Sequence, residues 1–441
     1  MKKVIIGLAG LMAVALSACG KDSPTPSGAT IGATDNTIQE PRQPAFDRFD
    51  IGRLDSELSK PVTQGRLLSI AYHLSKDGQV EASGFHGVRT LAGSDPVTQD
   101  TIYRIYSMTK PVTAVAVLML YEDGKIDLDA PVSQYLPELG SLKVFTGKDA
   151  AGKPGLAPVS HAPTVRELLS HTAGFGYGLT TDDYVNQRYR KKNVERAPNF
   201  DALLERVGSI PLRYQPGEGW EYSIASDIQG ALIERVSGMT FEAFLETRIF
   251  QPLDMPSTGF SIDESDIGRL ADITRQAAEP NTLALAEPRD QRLRGHETKF
   301  PSGGAGLVST LKDYDRFAHM LLGRGTLDGV TLLKPETIDL MFGDLATAAI
   351  KTGGGQFSGP GRGRGYALGI GAVTEPTMRR NGPPVGTVFW SGAAGTWFWI
   401  DPANDIVFIA MIQSVPPVTN LQTLSNDIVY HTLLSDFADL P

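Results

Sequence analysis

Extended runs rich in β-branched and aromatic residues stand at both ends of this chain, and helical patterns fill what lies between. Near the start, Leu67–Leu74 and Gln79–Phe85 flank a Lys76-Asp77-Gly78 turn and read as an antiparallel hairpin. Near the end, Thr387–Trp390, Thr396–Ile400 and Ile406–Met411 are separated by Gly-Ala-Ala-Gly and Asp-Pro-Ala-Asn-Asp turns. A short helix is expected over about Phe49–Leu58, and another from about Leu421 to near Phe437 with Leu424 and Ile428 on one stripe. Strands from both termini with helices between them imply an α+β domain over residues 46–441, an antiparallel sheet flanked by helices with an inserted helical lobe. The sheet part falls at about 46–106 and 296–441. The mainly helical part falls at about 107–295, with helical patterns at Val165–Ser170 and Ile228–Val236 and connections rich in Gly and Pro. No internal repeat is present.

Ahead of this body, Lys2 and Lys3 lead an apolar run from Val4 to Leu16 that is short for a membrane span and fits an export signal over residues 1–18. Leu16-Ser-Ala-Cys19 resembles a bacterial lipobox, in which cleavage before Cys19 exposes its thiol for lipidation. Cys19 is the only cysteine, so no internal disulfide can form. Residues 19–45 are rich in Pro, Ser, Thr and Gly and read as a flexible tether. The expected product is an exported lipoprotein anchored through Cys19. Gly20 is not the aspartate that retains lipoproteins at an inner membrane, which favours an outer one. Loss of residues 1–18 removes two lysines and no acids, taking the formal charge from -9 to -11. So acidic a protein is a poor partner for nucleic acid.

Within the body, Ser107-Met-Thr-Lys110 heads an apolar helix, with Pro111 tolerated in its first turn, Val112, Val115, Ala116, Met119 and Leu120 continuing it, and Gly124 stopping it. Three residues apart on a helix is one face. An alcohol becomes a useful nucleophile when a neighbouring base takes its proton, and a desolvated lysine can help. The same spacing recurs at Ser309-Thr-Leu-Lys312, where Ser309 or Thr310 reads better as the cap of a helix through Tyr314, Phe317 and Met320. Two further segments favour the first copy. Glu221-Tyr222-Ser223-Ile224 follows a Pro216-Gly217 turn at a helix start, where a phenol can shuttle protons. Trp390-Ser391-Gly392-Ala393 ends an extended run, where small residues leave the Ala393 N–H open to an oxyanion.

The order Ser-x-x-Lys, Tyr-Ser-x, then Trp-x-Gly before a C-terminal hairpin resembles the serine β-lactamase-like hydrolases, and within them the family VIII carboxylesterases. Supporting stretches are Leu168–Gly174, Tyr222–Gly230 and Ser302–Thr310. The resemblance implies a β-lactamase/transpeptidase-like fold and an acyl-enzyme on Ser107, with Lys110 and Tyr222 handling its proton. It also implies an oxyanion hole formed by the Ser107 and Ala393 N–H groups, without cofactor or metal. The chain departs from lactam-hydrolysing class C relatives, which carry Tyr-x-Asn and Lys-Thr-Gly: here Ile224 and Trp390 stand at those places. Replacing an amide by alkyl and an ammonium by indole removes polar contacts worth roughly 1.5 to 3 kcal/mol for the charged one. Ile224, Trp390 and Gly392 are therefore expected to bind a small neutral carboxylic ester. A β-lactamase or D-alanyl-D-alanine carboxypeptidase of the same fold is the first alternative. A non-catalytic lipoprotein that binds an envelope ligand is the second.

His171, in Ser-His-Thr-Ala-Gly, is expected to brace a loop and is left outside the catalytic set. Gly-x-Ser-x-Gly is absent, as is zincin spacing of histidines. Gly353–Gly365, with Arg362-Gly-Arg364-Gly, reads as a loop near the site rather than an RNA-binding tract. Oligomeric state is not encoded in any of these patterns.

Overall fold

The computed structural model describes residues 49–179, 183–286, 300–343, 363–376, 382–418 and 420–435. The expected export signal, Cys19 and the tether lie outside these, as does most of Gly353–Gly365.

The hairpin forms as its turn chemistry dictates. Ser69–Lys76 pairs with Gln79–Gly87 across Asp77 and Gly78, whose φ angles of 50° and 70° suit the right-handed twist of a two-residue turn. Ser69–Lys76 then pairs antiparallel with Ile406–Met411, from Ala71 opposite Met411 to Lys76 opposite Ile406. The N-terminal hairpin thus extends the C-terminal strands into one seven-stranded antiparallel sheet. Its order is Arg364–Tyr366, Gly371–Val373, Val388–Ser391, Trp397–Asp401, Ile406–Met411, Ser69–Lys76, Gln79–Gly87.

Both faces of this sheet are covered, and alternation along the strands shows how. Trp397, Trp399, Phe408 and Ala410 pack with Leu54 and Leu58 of the helix Ile51–Thr63 and with Ile428 and Val429 of the helix Leu421–Ser435. Phe398, Ile400, Ile409 and Met411 face the other way, into the core shared with the helices Thr109–Glu122 and Leu311–Leu322. Thr109–Glu122 is buried all round from Thr109 to Leu120, as expected of a helix apolar on every side. Gly124, at φ 68°, lets the chain leave its C-terminus. Full burial of Val112, Val115 and Leu118 contributes about 1.5–3 kcal/mol each.

The inserted part is less purely helical than its pattern implies. Lys143–Lys148 and Pro154–Pro158 form a hairpin, and Thr274–Gln276 pairs with Leu283–Leu285. The Asp149 carboxylate closes the first turn by accepting from the Ala151 and Lys153 N–H groups. Such short runs carry too few residues for periodicity to separate strand from helix. Likewise Arg364, expected in a loop, opens the edge strand Arg364–Tyr366.

Candidate active site

Ser107 lies in a 3-10 turn, Tyr106–Met108, wedged between the short strand Ile102–Arg104 and the buried helix that begins at Thr109. Gln413 anchors the approach: its side chain accepts from the Arg104 N–H and donates to the Arg104 carbonyl. Tyr106 then takes a left-handed φ of 45°, a strained conformation for a bulky residue that the surrounding core must hold.

The helix start turns Lys110 onto the same side. Its side chain is fully buried, and Nζ lies 2.7 Å from the Gly304 carbonyl and 3.4 Å from Ser107 Oγ. The Tyr222 hydroxyl donates to Ser107 Oγ at 2.7 Å. Lys110 Nζ also sits 4.4 Å from the centre of the Tyr222 ring, so cation, phenol and alcohol form one cluster. This meets the geometric requirement for an activated nucleophile, since acceptor and donor groups are within proton-transfer reach of the alcohol.

The loop carrying Tyr222 is tied down on both sides. The Glu221 N–H donates to the His171 carbonyl and the Ile224 N–H to the Gly176 carbonyl. Glu221 is buried and pairs with Arg213, which also meets Asp183 at 2.9 Å. His171 Nδ1 accepts from the Ser223 N–H at 3.3 Å and lies 2.9 Å from Ser223 Oγ. Burial, reinforced by the Lys110 charge, holds its pKa well below the usual histidine range. A neutral imidazole bonded to the loop is a brace, as its sequence context implied.

Trp390 lies in the strand Val388–Ser391 and packs on Tyr222 and Tyr366, with ring centres 5.8 and 4.9 Å apart. The chain then turns through Gly392, where any side chain would overlap the Ile105 carbonyl and Thr396 Oγ1. That close approach sets the Trp390–Ala393 segment against the backbone just before Ser107. Among the described residues, neither the Ser107 nor the Ala393 N–H has an intramolecular acceptor. Ser107, Tyr222, Ile224, Trp390, Gly392 and Ala393 all line one cavity of about 740 Å³, walled further by Tyr177, Leu179, Phe300 and Phe389. Its size and mainly apolar lining suit a small organic ligand.

Ser309, the second candidate, is placed elsewhere. It is fully buried in the strand Val308–Thr310, where Thr258 Oγ1 is its partner at 2.8 Å. Thr310 caps the helix Leu311–Leu322 by accepting from the Asp313 N–H.

One residue of the cluster escaped the sequence reading. Asp227, buried in the helix Ala225–Ser237, accepts from Ser302 Oγ and the Gly304 N–H. It thereby holds the turn whose Gly304 carbonyl meets Lys110. Burial raises the Asp227 pKa, with the Ser302 bond and the Lys110 charge opposing it. The available signal was a carboxylate on the inward side of an apolar helix, beside Ile228, Ala231 and Leu232.

A sheet of this topology with Ser, Lys and Tyr at its helical edge defines the serine hydrolases of the β-lactamase fold. The family model described as Beta-lactamase matches residues 52–428, and the chain belongs to that family. Protein Rv1367c of Mycobacterium tuberculosis is 35% identical over 345 residues, 76% of this chain and 82% of that protein. Esterase EstB of Burkholderia gladioli is 29% identical over 371 residues, covering 80% and 87% respectively. The solved structure of EstCE1, described as a hydrolase with promiscuous acyltransferase activity, shares the fold at a TM-score of 0.70. It is 23% identical, with 86% of this chain and 98% of that one covered. The chain is therefore an enzyme with the fold of the serine hydrolases.

Proposed function

We propose that this enzyme is a serine carboxylesterase acting on carboxylic esters that are uncharged around the scissile bond. The observation that carries the reading is the Ser107–Tyr222 contact at 2.7 Å, opening onto a cavity whose wall at the Lys-Thr-Gly place is Trp390. Ser107 Oγ attacks the ester carbonyl carbon while its proton passes to the Tyr222–Lys110 pair. The Ser107 and Ala393 N–H groups hold the carbonyl oxygen as it gains charge. Collapse breaks the bond to the alcohol, which leaves with a proton returned through Tyr222. Water then loses a proton to the same pair, attacks the acyl carbon and releases the acid, restoring Ser107. Ile224 and Trp390 offer the departing group apolar surface and no counter-ion. Esterase EstB supports the same class of reaction.

The lipobox-like Leu16–Cys19 and the tether composition support the further proposal that the enzyme works outside the cell membrane, anchored through a lipidated Cys19. Initial rates on p-nitrophenyl butyrate and a chromogenic cephalosporin test the catalytic reading. Ester turnover well above lactam turnover is expected; the reverse order overturns it in favour of a β-lactamase.

A further inference from the structure

The Arg362-Gly-Arg364-Gly stretch contributes something that acyl transfer at Ser107 does not use. Arg364 opens the edge strand of the sheet and forms part of the wall of the same cavity. Its guanidinium lies 4.7 Å from the centre of the Phe389 ring, within cation–π range. The side chain is half-buried, and loss of water lowers its pKa without any neighbouring carboxylate acting the other way. No ion pair to Arg364 occurs among the described residues. Two acids, Asp227 and Glu195, also line this cavity: Asp227 accepts from Ser302 and Gly304, and neither carboxylate acts on the Arg364 pKa. An arginine stays charged at any working pH, so the wall holds a partly dehydrated cation with no ion-paired carboxylate among the described residues.

We propose that Arg364 is a specificity-determining residue that binds a carboxylate carried by the substrate away from its scissile ester. Arginine presents two parallel N–H groups that match a carboxylate. A single guanidinium matches one monoanion, and among the described lining residues Arg364 is the one cation, with Ser391 and Gln422 adding uncharged polar groups. The preferred substrates are then esters of dicarboxylic acids with one free acid, or esters built on a hydroxy acid. Ile224 and Trp390 face the uncharged reacting end. The inference rests on the esterase reading and narrows its substrate class.

The test compares the mono-p-nitrophenyl ester of adipic acid with its methyl-capped counterpart, in wild-type enzyme, Arg364→Gln and Arg364→Lys. The quantity read is the ratio of kcat/KM for the free acid to that for the capped ester. Arg364→Gln is expected to lower this ratio roughly ten- to a hundredfold, mainly through KM, with Arg364→Lys recovering part of it. An unchanged ratio in Arg364→Gln overturns the inference while leaving the esterase reading intact. Failure of wild-type enzyme on every ester overturns the esterase reading instead. Carboxylate binding is then read directly: adipate is expected to raise the unfolding temperature of Ser107→Ala but not of Ser107→Ala/Arg364→Gln, and equal shifts overturn it.

Discussion

The Tyr222 hydroxyl stands 2.7 Å from Ser107 Oγ, whereas Lys110 Nζ is 3.4 Å from it and 2.7 Å from the Gly304 carbonyl. The phenol therefore makes the shorter contact with Ser107. The lysine is shared between that cluster and a backbone carbonyl that Asp227 fixes.

Tyr222→Phe removes the hydroxyl and keeps the ring packed against Trp390 and His171. It is expected to reduce kcat for p-nitrophenyl butyrate by about 10²–10⁴-fold with a much smaller change in KM, the range for loss of a positioned proton-transfer group. Steady-state kinetics beside a thermal melt checks this, since the melt should barely move.

Gly392→Ala tests the oxyanion turn. A methyl group there overlaps the Ile105 carbonyl and Thr396 Oγ1, so the turn has to move away from Ser107 and take the Ala393 N–H with it. Loss of one oxyanion donor lowers kcat by about 10²–10³-fold. Because the same overlap strains the strand pair Val388–Ser391 and Trp397–Asp401, the unfolding temperature should also drop.

His171 gives the fold an acid sensitivity. Its folded pKa is held below the unfolded value by burial and then by the Lys110 charge. The unfolded chain therefore binds the extra proton first, and stability is lost as pH falls below about 6.5. Melts of wild type should decline between about pH 7 and about pH 5. His171→Asn is expected to melt lower at neutral pH yet decline less on acidification. A parallel decline in both proteins would assign the acid sensitivity to other groups.

What the sequence showed and what it hid divide by distance along the chain. The Asp77-Gly78 hairpin, the Gly124 stop and the shared face of Ser107 and Lys110 are local, and each was legible from turn or helix chemistry. Tyr222 and Ala393 were reached only through their order relative to Ser107, because nothing local marks a phenol or an N–H as belonging to a distant serine. Asp227 was missed for the same reason: its role depends on Ser302 and Gly304, which the fold brings back from 75 and 77 residues away. Arg364 was misread because its surroundings are glycine-rich, and only pairing with Val373 makes it a strand residue.

The central claim is that Ser107, and not Ser309, carries the acyl group. Intact-mass measurement after treatment with a fluorophosphonate tests it most directly, on wild type, Ser107→Ala and Ser309→Ala. One adduct is expected on wild type and Ser309→Ala, and none on Ser107→Ala. An adduct that persists in Ser107→Ala, or that is lost only in Ser309→Ala, would contradict the account.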